Sequence, residues 1–95
     1  MIKIQNTELE LIKVDGGGSP VYNYKGNPFT GILVGYSKNG HVFVEEEYQN
    51  GFQEGWTRFF YENGKVKREY KSHNNLQVEE TYKEWDENGN LIESF

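Results

Sequence analysis

The side chains that could do covalent or proton-transfer chemistry are few and scattered. The two histidines, His41 and His73, each sit beside a turn-forming asparagine or glycine. That placement decorates a surface and does not build a general base. The serines Ser19, Ser37, Ser72 and Ser94 fall in expected loops or near the terminus, none within a nucleophile-elbow sequence. There is no cysteine, so disulfides, thiolate metal sites and a cysteine nucleophile are excluded. Gly16-Gly17-Gly18 has the composition of a phosphate cradle but neither a following Lys-Ser/Thr nor a helix to supply a dipole, and reads as a loop. Glu45-Glu46-Glu47 and Glu79-Glu80 could suggest a cation site. Consecutive strand residues point to opposite faces, so these runs read instead as solvated strands or charged sheet edges. Without a nucleophile, a base and an orienting group in one constellation, the chain is not expected to be an enzyme, and no cofactor or metal is expected.

Non-covalent recognition is the remaining chemistry. Aromatic residues make up 16% of the chain although hydrophobic residues make up only 35%, so a few large rings must supply much of the buried area. Trp56, Trp85 and the tyrosines could stack on RNA bases or sugars, but basic residues are not interleaved with them. Lys65-Val66-Lys67-Arg68 is the single basic cluster and is too short for a phosphate footprint, so nucleic acid is not an expected partner. Net charge is −5 and uneven: residues 1–44 carry 4 bases and 3 acids, whereas residues 45–95 carry 6 bases and 12 acids. The acidic half repels nucleic acid and anionic lipid, attracts basic proteins, and keeps an aromatic-rich chain soluble. Met1–Asn6 has no apolar run of signal-peptide length and nothing approaches a membrane span. With the absence of cysteine, this points to the cytoplasm.

The elements that position these residues follow from an internal repeat. Gly31 to Gly40 spans nine positions, as does Gly55 to Gly64, and Glu80 to Gly89 keeps that spacing without the first glycine. An aromatic precedes each terminal glycine by four (Tyr36, Phe60, Trp85), and an aliphatic follows it by two (Val42, Val66, Leu91). Tyr48, Tyr70 and Phe95 then open or close the next unit. Asn39-Gly40, Asn63-Gly64 and Asn88-Gly89 lie between runs rich in β-branched and aromatic residues, so each unit reads as a hairpin turning on positive-φ residues. The first strands are expected at Ile32–Tyr36, Trp56–Phe60 and Thr81–Trp85, and the second at His41–Glu47, Lys65–Tyr70 and Asn90–Phe95. The aromatic and aliphatic columns are expected to line the packed face, and Gly31 and Gly55 to permit close approach between hairpins. The 95 residues form one all-β domain of consecutive antiparallel hairpins in an elongated, twisted meander sheet. Residues 24–47, 48–69 and 70–95 are its repeats. Residues 1–23 are read as capping strands, Ile2–Ile4 and Leu9–Val14 among them, with a loop at Gly16–Pro20 and a short strand at Val21–Tyr24.

The pattern Gly-x-x-x-x-aromatic-x-x-Asn-Gly-x-Val/Leu resembles the bacterial variant of the MORN repeat and is similar to the antitoxins of the YwqK family. The resemblance covers about residues 22–95. Tyr22–Gly31 looks like the family's opening segment, and Trp56–Lys65 and Glu84–Gly89 like its repeat core. It implies an antitoxin or immunity protein that covers a cognate protein toxin, with no catalytic residues. If the toxin is a basic nuclease, carboxylates would mimic phosphates and speed encounter. The expected contacts are Glu45, Glu46, Glu47, Glu54, Glu62, Asp86 and Glu87, with Phe52 or Tyr61 as an aromatic anchor. The alternative is a scaffolding module for protein–protein interaction. Strands at either edge can also pair two copies into a homodimer.

Overall fold

A computed structural model describes residues 2–5, 8, 10–14 and 20–94. The expected Gly16–Pro20 loop, apart from Pro20, and the roles given to Leu9 and Phe95 lie outside the described residues. Ten strands run in order: β1 (Lys3–Ile4), β2 (Glu10–Val14), β3 (Pro20–Tyr24), β4 (Asn27–Pro28), β5 (Gly31–Tyr36), β6 (Val42–Gln49), β7 (Phe52–Phe60), β8 (Val66–His73), β9 (Leu76–Trp85) and β10 (Leu91–Ser94). Strands β5 to β10 form a sequential antiparallel meander, with β1 added in parallel beside β5. Strands β2, β3 and β4 form a separate small sheet. The principal extents are 41 × 31 × 21 Å.

Two kinds of turn alternate along the meander, and only one is built as the Asn-Gly pairs predict. Within the units, Gly40, Gly64 and Gly89 have φ of 82°, 87° and 89°, while the asparagine before each is not in the positive-φ region. In each of these turns the glycine N–H donates three residues back, to Ser37 O, Tyr61 O or Asp86 O. This is a type I turn closed by a left-handed glycine, which tolerates φ > 0 without Cβ strain. Between the units the turns have two residues, both at positive φ: Asn50-Gly51 at 53° and 90°, and Asn74-Asn75 at 48° and 71°. These are primed turns, whose twist matches that of the flanking strands. They lengthen the strands beyond the expected limits, so that β6 runs to Gln49, β7 begins at Phe52, β8 runs to His73 and β9 begins at Leu76.

Each unit also carries a bulge next to its glycine turn. Gly35 pairs with Val44 but Tyr36 with Val42, leaving Phe43 extra; the same shift leaves Lys67 extra in the second unit and Ile92 in the third. A second irregularity falls lower on the strands, where the ladder is completed by side chains. At Gly55 (φ 104°) the Trp56 N–H donates to Glu47 Oε1 at 3.1 Å. At the corresponding place in the third unit, where Glu80 replaces the glycine, the Lys71 N–H donates to Thr81 Oγ1 at 2.8 Å. The Thr81 hydroxyl in turn donates to Val78 O at 2.6 Å. In the third unit the acceptor is thus a hydroxyl on the later strand, where the second unit has a carboxylate on the earlier one, and the position of the missing glycine falls within a bulge.

The apolar core sits at the amino-terminal end of the meander. Ile4, Phe29 and Tyr48 are buried together, with Tyr22, Tyr24 and Leu33 packed against them. Phe29, 1% exposed, meets Tyr24 edge-on with ring centres 6.0 Å apart and Tyr48 at 5.6 Å. Backbone hydrogen bonds fasten the small sheet to the β6–β7 turn: Tyr22 N–H to Gly51 O at 3.0 Å and Gly51 N–H to Phe29 O at 2.9 Å. Gly31 allows the close approach expected of it, but to upstream chain, since a Cβ there would lie 2.7 Å from Ile2 O. At Gly55 the close neighbour is the Glu47 side chain, on the adjacent strand.

The expectation that the aromatic and aliphatic columns line a packed face is not met. Tyr36 pairs across its hairpin with Val42, Phe60 with Val66 and Trp85 with Leu91, so the columns pack against each other within the sheet. Tyr36 remains 47% exposed and Leu91 55%. The physical reason is that β8, β9 and β10 pack mainly against their own sheet neighbours, with no second layer to cover them among the described residues. The fully buried side chains of β7 to β10 are the small polar Thr57 and Ser72.

Candidate partner-binding surface

A one-layer sheet must hold itself flat with cross-strand pairs and long side chains laid over it. Register places Glu45 opposite Arg58, Arg58 opposite Glu69, and Glu69 opposite Lys83 on one face. Lys3 Nζ meets Glu45 Oε2 at 3.2 Å and Arg58 Nε donates to Glu69 Oε1 at 3.0 Å, so charges of alternating sign cross the sheet from β1 to β9. On the same face Trp56 is flanked by Arg58 at 4.7 Å and Lys71 at 4.9 Å from its ring centre. Opposite, Arg68 lies over Phe59 at 4.3 Å. Cations resting on aromatic faces shield rings that a second sheet would otherwise cover.

The expected contact residues therefore separate. Glu45 and Glu47 share the charge-ladder face, and Glu46 lies on the other. Glu45 is held by Lys3, and Glu47 completes the bulge at Trp56. Glu54 accepts from the Asn74 N–H and pairs with His73 Nδ1 at 2.9 Å. Tyr61 donates its hydroxyl to Trp85 O at 2.8 Å and carries Lys67 over its ring, while Phe52 is half-buried at the start of β7. Glu62 and Glu87 are exposed at neighbouring turn tips, joined where Asn63 Nδ2 donates to Glu87 O at 2.9 Å. Among the described residues, no group of three or more His, Cys, Asp or Glu is placed to hold a metal ion. Nor, among the described residues, is any helix long and apolar enough to cross a membrane.

Asp86 organises the last turn. Its Oδ1 accepts the N–H groups of Asn88 and Asn90, both at 2.9 Å. Its carboxyl lies below the usual aspartate range chiefly because of the Asn90 N–H, with desolvation opposing and the Asn90 side chain and the N–H groups of Asn88 and Gly89 assisting. A lowered folded-state value gives stability that is present above the unfolded carboxyl's pKa of about 3.9 and is lost as pH falls through the folded one. Asp86→Ala is therefore expected to lower the melting temperature at pH 7, with the difference from the parent shrinking toward pH 2. Thermal melts across that range check it, and a difference that does not vary with pH would refute the assignment.

What the sequence did not mark is the apolar group left uncovered at the far end of the meander. Leu76 (70% exposed) and Val78 (40%) stand at the start of β9, and Leu91 and Ile92 (61%) on β10 opposite its other end. Acidic Glu79, Glu80 and Glu93 stand among them. In the comparisons with known proteins, a family model described as MORN repeat variant matches residues 29–50, 53–75 and 81–94, more than half of the chain. The three stretches correspond to the hairpins β5–β6, β7–β8 and β9–β10. No curated protein and no solved structure matches the chain.

Proposed function

The chain belongs to the MORN repeat variant family, and from that premise we propose that it is a non-catalytic module that binds a protein partner through the uncovered sheet of β8 to β10. Membership in this family suggests a module that binds proteins or membranes. One observation carries the reading further: Leu76, Val78, Leu91 and Ile92 stand exposed on strands with no second layer among the described residues. Exposed apolar side chains set among charges on an uncovered sheet are open to a partner. The charge around them favours protein over membrane. Residues 66–94 carry seven acids against four bases, a balance that anionic headgroups repel and a basic protein surface attracts.

In its specific form, the proposal is steric neutralisation of a toxin, and what supports it is the likeness of Tyr22–Gly31 to the opening segment of the antitoxins. Glu62 and Glu87, exposed on adjacent turns, would then speed encounter with a basic toxin without carrying much of the affinity. A cysteine-free chain suits the reducing cytoplasm, where we place this role. Co-expression with the product of the adjacent gene tests it. We expect a toxic neighbour, rescued growth, and a complex that survives purification. A harmless neighbour, or toxicity unchanged by this chain, sinks the toxin reading. Pelleting with phosphatidylserine vesicles but with no protein partner would sink the preference for protein.

A further inference from the structure

On the face opposite the charge ladder, Leu33, Gly35, Phe43, Val44 and Phe59 line a cavity of about 470 Å³ that also contains Glu46. Gln5 and Tyr36 also line it, so its walls mix polar and apolar groups, and Glu46 is the one carboxylate among them. The ion pairs among the described residues join Lys3 to Glu45, Arg58 to Glu69 and His73 to Glu54, so Glu46 has no cationic partner among them. Its hydrogen-bond partner is the neutral amide of Gln53, which donates through Nε2. A half-buried carboxylate without a counter-charge is costly to keep where water is partly excluded. Two aromatic rings stand beside it. Phe43 is 44% exposed at its bulge, with no cation of the described chain resting on it, and Phe59 shows through Arg68 that this face accepts a guanidinium.

We propose that this cavity is a socket for a basic side chain of the partner protein, an arginine above all, whose guanidinium would pair with Glu46 and stack on Phe43. The chemistry is complementary on each count. A planar guanidinium forks onto a carboxylate, stacks on aromatic rings, and is less costly to desolvate than an ammonium. Gly35 keeps the floor open: a Cβ there would lie 2.6 Å from Val44 Cγ1 and 3.1 Å from the Phe43 ring. Burial raises the Glu46 carboxyl above the usual glutamate range, with the Gln53 hydrogen bond opposing. An incoming cation would reverse that shift, so occupancy weakens as pH falls and the carboxyl protonates. The inference rests on the protein-binding reading and adds to it an anchor on β5 to β7, apart from the β8–β10 surface, yet its test needs no partner.

The probe is N-acetyl-arginine amide, titrated at pH 7 into the full chain labelled with ¹⁵N, with N-acetyl-citrulline amide as the neutral match in shape. Saturating shifts confined to Leu33–Tyr36, Phe43–Glu46 and Phe59 are expected with arginine, and binding about tenfold or more weaker with citrulline. Glu46→Gln, which keeps an acceptor for Gln53, is expected to bring arginine binding down to the citrulline level. Phe43→Ala, at an exposed bulge, should weaken it about two- to fivefold with the spectrum otherwise intact. Shifts spread over exposed carboxylates such as Glu62 and Glu87, or equal binding of the two probes, would overturn the socket. So would unchanged arginine binding by Phe43→Ala. Failure of the co-expression experiment with this titration intact would strike the toxin reading alone.

Discussion

Phe29→Ala is expected to remove about 3–5 kcal/mol of stability, the usual loss for truncating a large buried aromatic side chain. Among the described residues Phe29 is the largest fully buried side chain, and its ring is shared by Tyr24 of the small sheet and Tyr48 of the meander. Tyr22 of the small sheet also meets Tyr48 edge-on, with ring centres 5.9 Å apart, so Phe29 is the centre of the aromatic junction. A domain of 95 residues has only about 5–10 kcal/mol to lose. The variant should therefore unfold at a much lower urea concentration than the parent. Phe59→Ala, half-buried on the one-layer part of the sheet, should lose clearly less. Equal losses at the two positions, measured by urea denaturation, would show that the core is not confined to the amino-terminal end.

The second large effect is expected at Gly51. Its φ is 90°, and a Cβ there would meet Tyr22 O and Val21 Cγ1, each at 2.8 Å. Gly51→Ala should cost about 1–2 kcal/mol for the left-handed backbone and a further 1–3 kcal/mol for overpacking the junction. Gly64→Ala is the control, because Gly64 has a φ of 87° with nothing within 4 Å of the added Cβ. It should show the backbone cost alone. The difference between the two variants isolates the contact that fastens the small sheet to the meander. Matching stabilities would mean that the junction yields freely.

The hairpins were readable because their determinants are local. A nine-residue glycine spacing and an Asn-Gly pair fix a turn without reference to the rest of the chain. The division of labour inside each pair was less readable. Asparagine tolerates positive φ in general, but Asn39, Asn63 and Asn88 do not adopt it, whereas Asn50, Asn74 and Asn75 do. What separates them is whether the loop has three residues or two, and strand register decides that. The core was misplaced for a related reason. Register of aromatic residues shows that they share a face, but not that anything covers that face. Tyr36 and Leu91 are aligned and largely exposed, while Phe29 and Tyr48 gain their burial from a strand pairing and a sheet contact distant in sequence.

The acidic residues illustrate the same limit. Composition gave the sign of the second half, but not which carboxylates are committed within the chain. Glu47 looks like a member of a solvated run, yet it accepts the Trp56 N–H across a bulge nine residues away. Asp86 is held by its own turn, whereas Glu87 beside it is exposed. Glu46 differs from both neighbours because strand alternation turns it into the cavity that Phe43 and Phe59 share. A one-layer sheet makes such differences sharp, since each residue faces either a long neighbouring side chain or open solvent.

The most direct test of the binding surface is amide hydrogen exchange on the purified chain, alone and in complex with the protein encoded beside it. The account predicts added protection concentrated over Leu76–Ser94, the strands that lack a second layer among the described residues and carry exposed apolar side chains at both ends. Protection confined to β2, β3 and β4, with Leu76–Ser94 exchanging as in the free chain, would contradict it.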